Sequence, residues 1–236
     1  MSKEVLLNQI TAYFEQKIFL NHKKISLKQN AQLKSYNINP IVVRYLSKIL
    51  ADGFTPMGVA KALYYPRVLG TSINTSFGDR IQKMFVELGL ARGSLIKGMD
   101  IEFEDKIDGR SKWCQLKAGP NTINSEDVRP LLKKFTTVTN LARTNSMRLN
   151  NSDLILGVLY GTRSELSQHY ITINEHYPVV VGQEFWHRLT GYEEFYRELV
   201  SELDRLIFSL PTDDFINEGC AALAREIEAS GILNGN

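Results

Sequence analysis

The chain has 236 residues, 43% of them hydrophobic, which is enough for a sizeable core in one large domain or two small ones. Its longest apolar run, LILGVLYG, is too short to span a bilayer; the opening MSKEVLLNQITAYFEQK lacks a signal peptide's apolar stretch, and 2 cysteines make no disulfide framework. A formal net charge of +2 hides 23 Lys and Arg against 12 Asp and Glu through Asn150, and 5 Arg against 14 acids from Asn151 onward, so the halves face different partners.

In chain order, Val5, Leu6, Ile10, Phe14 and Ile18 have helical spacing over residues 3–20, and a basic, polar stretch follows to Pro40. IVVRYLSKILA, begun by Pro40, and TPMGVAKALYYPRVLG, ended by Pro66 and Gly70, read as helices. After a polar loop, TSINTS, a further helix over FGDRIQKMFVELGL is closed by Gly89 and Gly93. A hairpin occupies residues 98–119, and SEDVRPLLKKFTTVT forms a helix with Ser125 as N-cap and Glu126 and Asp127 in its dipole-favoured first turn. NLARTNSMRLNNSD reads as a polar connector, LILGVLYG as a buried strand and YITI as another strand. VVVGQEFWHRLTG runs from a short strand into a helix, and two acidic amphipathic helices finish the chain. The pattern predicts an α/β fold, a mixed sheet flanked by helices, in a single domain over residues 1–236.

The hairpin carries the chemistry. Asp108-Gly109 suits a two-residue type I′ turn, which would place Asp100 opposite Lys117 and Glu102 opposite Gln115. Met99, Ile101, Phe103, Cys114, Leu116 and Ala118 would then form the core face. The other face gathers a carboxylate, an amide and an ammonium. Hard oxygen donors suit Mg²⁺, and a neighbouring ammonium suits a phosphate, so hydrolysis of a phosphodiester is one use of the set. The same residues also fit a solvated cross-strand Asp–Lys pair beside a Glu–Gln neighbour.

GMD, fourteen residues, then QLK resembles the PD-(D/E)xK nuclease motif, with Asp100 as its aspartate, Gln115 in the Asp/Glu position and Lys117 as its lysine. The order PRVLG, FGDRIQ, QLKAG, LILGVLYG and VGQEFWHRLTG resembles type II restriction endonucleases, most closely those cutting GGNCC-type sites. The resemblance implies a catalytic core at 71–191, between a basic helical part at 1–70 and acidic helices at 192–236. It further implies a homodimer that cuts double-stranded DNA with Mg²⁺; the lack of a signal-peptide pattern or apolar span points to the cytoplasm, and the lack of a Walker-type loop points away from ATP. The metal would be held by Asp100, Gln115 and the Leu116 carbonyl, with Gln82, less favourably Asp79, or Glu102 completing the site. Candidate base readers are Arg143, Asn145, Arg148 and Arg163, since Arg suits guanine and Asn suits adenine; Lys23, Lys24, Lys28 and Lys34 suit the phosphate backbone. His22, His169, His176 and His187 lack zinc-site spacing, and no Walker-type loop occurs. A structure-specific nuclease of the same fold, such as a junction resolvase or repair endonuclease, and a non-catalytic DNA-binding module are the alternatives.

Overall fold

Helix starts are written into the sequence and recur in a computed structural model, which describes residues 1–144, 149–211 and 214–233. The chain divides into two compact units: residues 1–12 with 78–208, and residues 13–77 with 209–236. The unit boundaries fall inside α1 (Lys3–Tyr13), α5 (Ile73–Glu87) and α9 (Phe195–Ser209). Continuous helices mask such boundaries because their local pattern is uninterrupted.

The first unit holds a five-stranded sheet in the order β1-β2-β3-β4-β5: β1 (Arg92–Gly93), β2 (Ile101–Glu104), β3 (Ser111–Lys117), β4 (Leu154–Val158) and β5 (Val179–Val181). The first three are antiparallel, whereas β3, β4 and β5 are parallel. Parallel pairing of β3 and β4 needs a crossover, and α6 (Ser125–Thr144) supplies it. Asn124, not Ser125, caps α6: its Oδ1 accepts from the N–H of Glu126 and Asp127, while Asp127 returns a bond to the Asn124 N–H.

Both faces of the sheet are covered. On one, Trp113, Leu154, Leu156 and Val158 pack with Leu131, Phe135 and Val138 of α6 and with Tyr170 and Ile173 of α7 (Gln168–Asn174). On the other, Gly157 leaves room for Phe185, which meets Phe85, Phe103 and Trp186. Each fully buried side chain of this size contributes about 1.5–3 kcal/mol, so the strands are held as a stiff platform. Phe185 and Trp186 belong to α8 (Gln183–Thr190), which follows β5 directly.

The second unit is helical. Asn39 caps α3 (Pro40–Ala51) and Thr55 caps α4 (Pro56–Pro66), each with a proline in its first turn. Val59, Ala60, Tyr64 and Val68 pack with Cys220, Leu223 and Ile227 of α10 (Phe215–Ser230), and α2 (Leu20–Ile25) carries the basic run.

Four expectations fail for local reasons. Pro66 does not end its helix, because Arg67–Ser72 continues as a wider helical turn that tolerates the missing N–H and leads into α5. TSINTS is therefore helical and not a loop. YITI is helical too: Tyr170 and Ile173 are buried and Ile171 is exposed, a period of three that no strand produces. The hairpin, finally, closes through a wider loop and not a two-residue turn. Asp105 is fully buried, accepts from Ile107 N–H and Arg188, and spreads the chain, while only Gly109 of the Asp108-Gly109 pair has positive φ.

Candidate active site

The wider loop moves the register by two residues. Ile101 pairs with Cys114 and Glu102 with Trp113, so the pairing that would set Asp100 opposite Lys117 and Glu102 opposite Gln115 is not formed. An even shift leaves side-chain alternation intact, and Gln115 and Lys117 share one face of β3.

Asp100 stands just before β2. Its N–H donates to the Cys114 carbonyl at 2.9 Å, and its carboxylate accepts from the Leu116 N–H at 2.7 Å. The aspartate thus satisfies a strand donor that has run past the end of its neighbour. In an extended strand the N–H and C=O of one residue face the same edge, so the Leu116 carbonyl lies on the Asp100 side. Gln82 of α5 reaches this point as well, its Nε2 donating to the Asp100 carbonyl at 3.0 Å. Asp79, one turn earlier, is exposed.

Gln115 is 5% exposed, and its Oε1 accepts from Lys134 of α6 at 3.2 Å. Lys117 ends β3 and is half-buried; among the described residues no hydrogen bond or ion pair engages its ammonium. The Asp100 carboxylate thus meets β3 at Leu116, the residue between Gln115 and Lys117, and Lys134 reaches Gln115 from α6.

Glu102 does not join them. It lies opposite Trp113 on β3 and Arg92 on β1, and its carboxylate is taken by Arg92 at 2.9 Å, Ser94 Oγ at 2.7 Å and the Leu95 N–H at 3.3 Å. The expectation that Glu102 stands beside Gln115 is corrected by the register and by this pairing.

The DNA-reading candidates are spread out. Arg143 is exposed in the last turn of α6, whereas Arg163 is held by Glu184 at 2.8 Å. Asn145 and Arg148 lie outside the described residues. Lys23 and Lys24 on α2, with Lys28 and Lys34 just beyond it, belong to the second unit; all but Lys23 are exposed.

At the opposite end of the hairpin, Lys112 is buried yet charged, bonded to Asp108 at 2.6 Å, to the Ser152 carbonyl at 3.1 Å and to Asp153 at 3.3 Å. Asp153 also receives a two-point contact from Arg110. Burial pushes the Asp153 carboxyl up, but hydrogen bonds from Arg110, the Asn150 N–H and Lys112 outweigh it and bring the pKa to about 2. Arg188 joins Asp105 to Glu184, tying this network to α8.

Sequence reasoning missed Lys134 and Lys112. Lys134 adjoins the inward positions Leu131, Phe135 and Val138, a signal that it borders the covered sheet face; Lys112 alternates with Cys114 on a core face, where a lysine demands buried acids.

A family model described as type II restriction endonuclease EcoO109I matches residues 6–207. No curated protein matches the chain.

Proposed function

Since the chain belongs to the family of the type II restriction endonuclease EcoO109I, it is a site-specific deoxyribonuclease, and we propose that Asp100, Gln115 and Lys117 are its catalytic residues in a PD-(D/E)xK core. The substrate is a short palindromic duplex of the GGNCC kind, cut by a cytoplasmic homodimer that needs Mg²⁺ but no ATP. The observation that supports the reading is the bond from the Leu116 N–H to the Asp100 carboxylate, at the residue between Gln115 and Lys117 on β3.

The donor set fits the ion. Asp100, Gln115 and Leu116 offer only oxygen, with Gln82 close by, and among the described residues no three His, Cys, Asp or Glu side chains come together. Hard oxygens in small number suit Mg²⁺, which retains waters and accepts a phosphate oxygen. When bound, the ion supplies positive charge to the scissile phosphate. Asp100 holds it, already oriented by the Leu116 N–H. Gln115 places its amide toward the ion or the attacking water, and Lys117 orients that water and offsets charge building on the phosphate oxygens. In-line attack on phosphorus forms the new P–O bond as the P–O3′ bond breaks, leaving 5′-phosphate and 3′-hydroxyl ends.

Of the basic residues, Lys24, Lys28 and Lys34 suit the duplex backbone and Arg143 suits a base edge. Arg163 is already committed to Glu184.

Incubation with plasmid DNA and Mg²⁺ tests the proposal. Discrete fragments with uniform ends are expected, and Asp100→Asn and Lys117→Ala each lower cleavage by on the order of 10²–10³. Retention of full cleavage by both variants overturns the residue assignment; nicking confined to branched DNA favours a structure-specific nuclease.

A further inference from the structure

Helix α6 sends one side chain to the site from outside the hairpin. Lys134 Nζ donates to Gln115 Oε1 at 3.2 Å, and among the described residues Lys134 is the only hydrogen-bond partner of that amide. The aliphatic stem of Lys134 runs along Gly98, where an added Cβ would stand 3.4 Å from Lys134 Cγ. Gly98 has φ 103°, a backbone conformation that favours glycine beneath the lysine stem.

The chemistry of the two groups makes this contact directional. An ammonium only donates, and of the two ends of a glutamine amide only the oxygen accepts. Those ends are nearly equal in size, so packing alone does not choose between them. A glutamate at 115 would need no such choice, because its two oxygens are equivalent. Glutamine offers one ligand oxygen and one NH₂ group that repels a cation.

We propose that Lys134 is a positioning residue that fixes the Gln115 amide with its oxygen, not its nitrogen, directed into the site. The oxygen so placed retains a second lone pair for a divalent ion. The inference rests on the reading of Asp100, Gln115 and Leu116 as the ion-binding set, and it explains how a neutral residue serves at a position where the commonest form of the motif carries an acid.

The test is a double-mutant cycle on the full chain, with free Mn²⁺ counted by electron paramagnetic resonance in the absence of DNA. Lys134→Met keeps the stem over Gly98 and removes the donor. Deleting the charge by itself favours cation binding in any background, so the cycle compares Lys134→Met in native protein with Lys134→Met in Gln115→Glu. Relative to its effect in the glutamate background, Lys134→Met is expected to weaken Mn²⁺ binding about tenfold, the scale typical of outer-shell partners. Lys134→Arg restores native affinity, and thermal midpoints stay unchanged. The same ratio appears in single-turnover cleavage of plasmid with Mg²⁺. A cycle ratio of one in both readouts, with Asp100→Asn abolishing Mn²⁺ binding and cleavage, overturns the role of Lys134 alone. Native Mn²⁺ affinity and cleavage in Asp100→Asn overturn the ion-binding set and this inference with it.

Discussion

Hydrogen-bond partners separate the two acids of β2's face. Asp100 gives its carboxylate to the main-chain N–H of Leu116; Glu102, two residues on, is consumed by Arg92, Ser94 and Leu95. Glu102→Gln is therefore expected to lower stability by about 1–3 kcal/mol while leaving cleavage within a few-fold of native, checked by thermal denaturation beside the plasmid assay. A hundredfold loss of cleavage with stability intact would return Glu102 to the ion. That Gln115 and Lys117 share a face of β3 was legible because alternation along a strand survives an even register error. Lys134 was not legible, because its relation to Gln115 exists only after a helix nineteen residues away packs over the sheet.

Elements were legible where local pattern and tertiary packing agreed. Proline and Asn or Thr mark the starts of α3 and α4, and five successive buried residues mark β4. They misled where a buried charge overrode local preference: Asp105 and its Arg188 partner displace the tight turn that Asp108-Gly109 favours. The same end of the hairpin predicts an acid response. The Asp153 carboxyl is lowered from 3.8 to about 2, so its contribution to stability is complete above about pH 4 and disappears as pH falls through about 2. Asp153→Asn is expected to cost about 3 kcal/mol at neutral pH, because buried Lys112 loses a partner, and to flatten the stability–pH curve across that window. Chemical denaturation at several pH values measures both; an unchanged acid slope would assign the loss to other carboxylates.

For the whole molecule, charge asymmetry was legible from composition, but the division into two units was not, since three helices run through the boundaries. The exposed lysines of the second unit are suited to phosphates, and binding to duplex DNA in Ca²⁺ is expected to weaken with salt. Replacing Lys24 and Lys28 by Ala should reduce the slope of log K against log salt by about one each, read by fluorescence anisotropy. An unchanged slope would assign these lysines to solvent. The sheet's topology also has a consequence in time. β2 and β3 meet across a short loop, whereas β4 reaches β3 only after some forty residues of crossover, a closure with a greater entropic cost. A growing chain on the ribosome thus acquires Asp100, Gln115 and Lys117 as a loose ribbon well before β4 and the overlying α6 can stiffen it. Nascent chains arrested before Leu154 are therefore expected to leave plasmid intact.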